Sequence, residues 1–294
     1  MRGVVIGQMP GPKFTIVTAS YNSIHTIRET IESVRSQDFK DWEHWVIDGG
    51  SKDGTVEILN EYPHLKWISE KDEGHYQAMN KGIERAQGEI LLMLNADDCL
   101  RPGVLAKVAA AFDKHPDWDA AFGDIIYVDG EGNEIYRREE AVYDYDVLRL
   151  SGVCYIIHQT LFVKKSLHDR IGLYRHKEFF NCCDYEFILR MGREKAIVGH
   201  IPEYIVNYRY HVNGQSADLR ITRNMARESA IIRKEHGWKE GAVGNVLRNV
   251  MRGKRQFQKL LYRGKFDLVP GTWRTRKHMQ EKTAFTSNIP IGKS

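Results

Sequence analysis

The sequence predicts an α/β fold with a mostly parallel central sheet and helices on both of its faces. Three observations lead there. Over the first 115 residues, short β-rich runs alternate with helical spacings four times, and such alternation builds a parallel sheet flanked by helices. The polar clusters of this half each follow a strand, which is where open α/β sheets bind ligands. Residues 91–94, Leu-Leu-Met-Leu, run apolar without alternation into Asp97 and Asp98, the pattern of a strand buried on both faces.

In chain order, residues 14–19 are β-rich and end in Ser20-Tyr21-Asn22. Apolar residues at 24, 27, 31 and 34 give a helical spacing over 24–37. Residues 42–47 form the next strand and end in the Gly-rich turn 48–55, after which a helix begins at Val56. Residues 65–69 are the third strand, 76–86 a helix, 89–94 the fourth strand, and 102–115 a helix with Pro102 at its start. From residue 120 the rhythm is mixed. Residues 120–123 are a short strand, and 125–128 and 134–136 flank a Gly-containing turn and read as a hairpin. Residues 156–163 are an apolar run, 184–194 and 221–236 helices, and 197–201 and 204–210 two strands. The expected layout is a domain over 1–240, with a nucleotide-binding half at 1–115 and an acceptor-binding half at 116–240, followed by a basic amphipathic tail at 241–294.

The 294 residues suffice for a sizeable core, and 42% apolar with 28% charged is ordinary for a globular chain. The net charge of +4 is unevenly spread. Residues 245–282 hold eleven Lys/Arg against two acids, a net of +9, which leaves the remainder at −5. Apolar residues at helical spacing accompany these cations, so the tail is expected either to pack on the domain as a solvated helix or to meet an anionic membrane surface. No nucleic-acid partner is expected, because no binding motif accompanies the charge. Cys99, Cys154, Cys182 and Cys183 show no CxxC spacing, which argues against a zinc site and a secreted disulfide framework. With no signal-like or membrane-spanning run, the expected location is cytoplasmic, with the inner face of the plasma membrane as a peripheral site.

Four ordered motifs carry a resemblance. Thr18-Ala19-Ser20-Tyr21-Asn22, Asp48-Gly49-Gly50-Ser51-Lys52-Asp53-Gly54-Thr55, Glu70-Lys71-Asp72-Glu73-Gly74-His75-Tyr76-Gln77-Ala78-Met79-Asn80-Lys81-Gly82 and Asn95-Ala96-Asp97-Asp98 resemble the family 2 glycosyltransferases, over about residues 14–235. The resemblance implies a GT-A fold and inverting transfer of a sugar from a nucleoside diphosphate, UDP first, with GDP or dTDP as alternatives. The acceptor is then a glycan or lipid-linked molecule. The similarity is greatest to bacterial members that assemble exopolysaccharide, capsule or O-antigen units.

Residue by residue, the resemblance implies a donor site of Ala19, Ser20, Tyr21, Asn22, Asp48, Lys71, Asp72, Asn80, Asn95, Ala96 and Asp97. Asp48 would accept a hydrogen bond from the base N–H. Asp97 aligns with the metal-binding acid of the family's Asp-x-Asp motif, where Mg²⁺ or Mn²⁺ would neutralise the diphosphate leaving group. Asn95 stands where many members have the first Asp, and Asp98 is expected to make up the difference or to cap the following helix. His211 matches a late motif that contacts the diphosphate or the metal, with Arg209 and Ser216 adding phosphate contacts. Asp184 is the expected general base, because displacement with inversion needs a carboxylate on the face opposite the leaving group. Its neighbour Cys183, uncharged where an acid is common, is expected to leave Asp184 easier to ionise. Glu186 is the fallback, and His158, Gln159 and Glu186 are expected to border the acceptor. Two rivals remain at this point: a sugar nucleotidyltransferase, against which the loop after the first strand is neither Gly-rich nor basic, and a non-catalytic nucleotide-sugar or polysaccharide binder, against which Asp184 is present. A dinucleotide binder is disfavoured by the absence of a GxGxxG after the first strand.

Overall fold

The computed structural model describes residues 11–210 and 219–264. The first half runs β1 (Phe14–Ser20), α1 (Ile27–Arg35), β2 (Trp42–Asp48), α2 (Thr55–Asn60), β3 (Lys66–Ser69), α3 (His75–Arg85), β4 (Ile90–Asn95), β5 (Cys99–Leu100) and α4 (Val104–Lys114). The second runs β6 (Ala120–Val128), β7 (Glu134–Arg138), α5 (Tyr145–Ser151), a 3-10 turn at His158–Thr160, β8 (Leu161–Lys164), α6 (Lys165–Ile171), α7 (Cys183–Arg193), β9 (Val198–Arg209), α8 (Leu219–Glu235) and α9 (Ala242–Arg263).

One sheet joins both halves in the order β3-β2-β1-β4-β8-β6-β9-β5, with β7 beside β6. β3, β2, β1 and β4 are mutually parallel, as expected, while β8 is antiparallel to β4 and to β6. β5 starts four residues after β4 ends, yet it pairs antiparallel with β9 at the far end of the path. The sheet therefore curls, and β9 returns beside the end of β4.

β4 explains its unbroken apolar run. Leu91 and Met93 join the core under α3 and α7, and Ile90, Leu92 and Leu94 join the core under α4. β1 divides in the same way, with Val17 and Ala19 on one face and Phe14 and Ile16 on the other. This is the period of two in a strand covered on both sides. Gly82 lets α3 lie directly on β1, since a Cβ there would come within 2.2 Å of Val17 Cγ1.

Several boundaries differ from the expectation. The helix expected at 24–37 begins only at Ile27, because the amides of Ser23 and Ile24 donate to Thr55 Oγ1 and Asp53 Oδ2 in the loop after β2. The helix expected from Pro102 begins at Val104 behind Gly103, and β5 occupies residues before it. β9 is one strand of 12 residues where two were expected, and its register against β6 shifts on either side of Asp124, which lies opposite Tyr204. Of the apolar run 156–163, only Leu161–Lys164 pairs as a strand.

Candidate active site

The parallel register brings the polar strand ends into one row. Ser20 lies opposite Asp48, Asp48 opposite Ser69, and Ala19 opposite Asn95. The loops after β1, β2, β3 and β4 therefore open on one edge of the sheet.

At this edge the carboxylates do different work. Asp48 is fully buried, and its Oδ2 accepts from the Gly50 amide (3.0 Å), the Ser51 amide (2.9 Å) and Ser69 Oγ (2.6 Å). It folds the loop from within. Asp72 is placed differently. Its Oδ1 accepts from the Gly74 amide at 2.9 Å, while its Oδ2 lies over Gly49. A Cβ at Gly49 would meet Asp72 Oδ2 at 2.8 Å and Tyr21 Cδ2 at 3.3 Å. Only glycine keeps this window open between the Asp72 carboxylate and the Tyr21 ring, and Tyr21 is 65% exposed.

Other expected donor-site residues turn inward. Asn22, at φ 48°, takes the Lys52 amide on Oδ1 and gives its own amide to Ser51 Oγ, clasping the first two loops. Asn80 spends its amide on the Tyr174 backbone (2.8 and 3.0 Å) and on His176 Nδ1 (3.0 Å), so it fixes the 174–176 loop to α3. The side chains of Ala19 and Ala96 pack in the core. Ser20 Oγ is buried without a hydrogen-bond partner among the described residues, and Lys71 is exposed beside Gly50.

The two acids after β4 are not equivalent. Asp97 is half-buried, while Asp98 is fully buried and accepts the Arg209 amide at 2.9 Å. Burial first, and then the adjacent Asp97 charge, push Asp98 well above the usual carboxylate range. With Asn95 rather than an acid at the end of β4, the turn is spared a third negative charge. Asp98 is no helix cap, because α4 begins at Val104 with Gly103 as its N-cap and no side-chain cap hydrogen bond. Arg209 is 7% exposed and braces this turn. Its Nε donates to the Asp97 carbonyl at 3.2 Å, and its other nitrogens reach the Gly130 carbonyl and Glu29 on α1. The expected phosphate contact by Arg209 is corrected: its guanidinium is consumed inside the protein. His211 and Ser216 lie outside the described residues.

A metal at this edge would find a limited donor set. Among the described residues no three His, Cys, Asp or Glu side chains converge on one point. One half-buried carboxylate suits a hard cation whose remaining ligands come from diphosphate oxygens and water, as Mg²⁺ sites commonly do. Asp98 differs from Asp97 in being fully buried, with Oδ1 on the Arg209 amide and Oδ2 without a hydrogen-bond partner among the described residues.

Asp184 lies in the first turn of α7, whose N-cap is Cys182. Burial raises its pKa above the usual aspartate value, against the Tyr76 hydroxyl, the Tyr185 amide and the nearby His75, which act the other way. The easier ionisation expected from Cys183 is thus overridden by desolvation. Tyr76, at the start of α3, is 6% exposed and stacks among His75, His158 and Tyr174. Burial first, and then the charges of Asp98, Asp97 and Asp184, raise Tyr208 on β9 well above the usual tyrosine pKa. Tyr76 and Tyr208 have no signal in the sequence that separates them from ordinary core aromatics.

Glu186 is corrected. It is fully buried and held by Arg190 at 2.8 Å and Arg175 at 3.3 Å, so it neither meets an acceptor nor replaces Asp184. His158 is also interior: its Nε2 pairs with the Tyr174 hydroxyl at 2.6 Å, and burial pushes its pKa down to about 4. Gln159 is buried beside it.

Residues 15–196 match the family described as Glycosyl transferase family 2. A PGL/p-HBAD biosynthesis glycosyltransferase of Mycobacterium bovis is 32% identical over 204 residues, covering 67% of this chain and 77% of that one. Among solved structures, S. aureus TarS 1-349 in complex with UDP-GlcNAc superposes with a TM-score of 0.58 at 18% identity, over 92% of this chain and 79% of that one. Of the longer S. aureus TarS chain, this chain spans 39%. The mannosyltransferase PcManGT from Pyrobaculum calidifontis, in complex with GDP-Man and Mn²⁺, gives 0.56 at 15% identity, over 95% and 82%. At such identities these structures speak for the fold, and the fold they share with this chain is GT-A.

Proposed function

The chain belongs to glycosyl transferase family 2, and within that family we propose that it moves a sugar from a nucleoside-diphosphate donor to a hydroxyl of a glycan or lipid-linked acceptor, with inversion, in building a bacterial surface glycan. The observation that carries the reading is the shared edge: the ends of four parallel strands in register, with Asp97 in the turn after the fourth. Relatives solved with UDP-GlcNAc and with GDP-Man and Mn²⁺ support a nucleotide-sugar donor and a divalent cation.

In this mechanism the base stacks near the exposed Tyr21 ring, and Asp72 Oδ2 accepts from a ring N–H of uracil, thymine or guanine. We give that role to Asp72 because Asp48 is fully buried and its Oδ2 is taken up by its own loop. Asp97 would hold Mg²⁺ or Mn²⁺, which when bound supplies positive charge to the diphosphate as it departs. Asp184 removes the proton of the acceptor hydroxyl as its oxygen attacks the anomeric carbon. The bond from that carbon to the diphosphate oxygen breaks on the opposite face, which inverts the configuration. A raised pKa suits this step, because a stronger base takes an alcohol proton more readily provided it is ionised at the working pH.

The test is a panel of UDP-, GDP- and dTDP-sugars with Mn²⁺, followed by nucleoside diphosphate release. Release with one donor class, stopped by a chelator and restored by the metal, supports the reading. Pyrophosphate release from a nucleoside triphosphate and a sugar phosphate would replace it with a nucleotidyltransferase.

A further inference from the structure

The C-terminal helix α9 is amphipathic in the reverse of the usual sense. Its sequence holds six Lys/Arg and no acid. A basic helix of this kind is expected to turn its cations outward, yet the body of the protein engages them. Arg255 grips both oxygens of the buried Glu140 at 2.7 Å. Arg263 reaches Asp124 and the Glu140 carbonyl, and Lys254 pairs with Asp144 at 2.7 Å. Arg252 donates to the Ser151 carbonyl, and Arg248 lies over Trp238. Arg255 and Lys259 are 8% and 5% exposed.

The apolar face is what solvent sees. Val243, Val246, Val250, Phe257 and Leu261 recur at helical spacing and are 55–71% exposed, with Tyr262 alongside at 46%. Eleven large apolar residues of the described chain are exposed, and these six are more than half of them. A stripe so concentrated marks an interaction surface.

We infer that α9 docks on the surface of a lipid bilayer, lying in its plane with Val243, Val246, Val250, Phe257 and Leu261 in the acyl boundary. A second copy fits poorly. Six residues are far fewer than the roughly 20–30 a side of a stable interface. A bilayer takes a single helix face. Charge favours anionic headgroups, because the sequence beyond α9, residues 265–294, carries six Lys/Arg against two acids. α9 lies against α5, and α5 against α7, the helix that bears Asp184. Docking would therefore hold the α7 side of the site near a lipid-linked acceptor. That last consequence rests on the acceptor proposed above, whereas the docking itself does not.

The experiment is co-sedimentation of the full chain with vesicles of mixed zwitterionic and anionic phospholipid, at low and high salt, without donor or acceptor. The variant is Phe257→Ser with Leu261→Ser, two exposed positions outside the site, whose folding is checked by an unchanged melting curve. The expected result is binding that weakens but persists in high salt, and that the double variant lowers on the order of 100-fold. Three results would overturn the inference: equal binding by the variant, complete loss of wild-type binding in high salt, or a wild-type dimer in solution that the variant dissolves while vesicles capture neither protein. Failure here leaves donor turnover untouched, so it is distinguishable from failure of the proposed reaction. Deleting α9 is the poorer test, since it would strand Glu140 and Asp124 without their partners.

Discussion

Replacing Arg209 with Ala removes a guanidinium that no ligand touches, and it should still damage the site. The side chain is 7% exposed and donates to the Asp97 carbonyl at 3.2 Å, to the Gly130 carbonyl and to Glu29. Glu29 is 60% exposed, so losing that pair costs little. The Gly130 carbonyl sits in an exposed turn where water can replace the donor, whereas the half-buried Asp97 carbonyl loses a charged donor, at a cost of about 1–3 kcal/mol. A loss near 2 kcal/mol corresponds to a melting point lower by roughly 4–8 °C for a domain of this size. The Asp97 turn would also lose its brace, and a misplacement of about 1 Å in a positioned group is enough to cost on the order of 100-fold in rate. Thermal melting and calorimetric titration of nucleoside diphosphate with Mn²⁺ read the two effects separately. Arg209→Lys, which keeps the charge but not the planar fork, should recover only part of either. An Arg209→Ala protein that melts within about 1 °C of wild type and binds nucleotide with unchanged affinity would refute the reasoning.

Two further predictions concern the same edge and the acid behaviour of the core. Gly49→Ala puts a methyl group 2.8 Å from Asp72 Oδ2, so the donor KM should rise about tenfold while the melting point barely moves; an unchanged KM would separate Asp72 from the base. His44 and His158 are buried, with pKa values pushed down by burial to about 3 and about 4. The unfolded chain takes up these protons near pH 6.5 and the folded chain does not, so stability should fall as pH drops from about 6.5 towards 4, by up to about 1.4 kcal/mol per pH unit for each histidine. Denaturant midpoints across that range give the slope, and a flat profile would mean that these side chains are protonated in the fold.

The parallel half was legible because its signals are local: strand runs, helical spacing, and glycine and acid clusters at strand ends. Asp97 and Asp184 could be singled out in the same way. What the sequence concealed depends on direction and on distant partners. Asp48 and Asp72 are both acids in loops after strands, and only the Gly50 and Ser51 amides with Ser69 Oγ show that Asp48 is consumed. Glu186 sits two residues from Asp184 on one helix, and its separation by about 200° around the axis sends it to Arg190 in the interior. α9 read correctly as a helix with an apolar stripe and a basic side, but which side faces the protein was decided by Glu140, Asp124 and Asp144, more than a hundred residues away. Asn80 and Arg209 were expected on ligand because their types suit it, whereas buried backbone groups claim both.

The central claim is that Asp184 takes the acceptor proton. It is tested most directly by Asp184→Asn, an isosteric change that removes the base and leaves the donor edge intact. With a confirmed donor and acceptor, the variant should lose about 10²–10⁴-fold in kcat while its affinity for nucleoside diphosphate stays unchanged. The wild-type kcat/KM should fall on the acid side through a group titrating above the ordinary aspartate pKa, as burial of Asp184 requires. Transfer within about threefold of wild type by Asp184→Asn, at a rate the remaining groups sustain across the same pH range, would contradict the account.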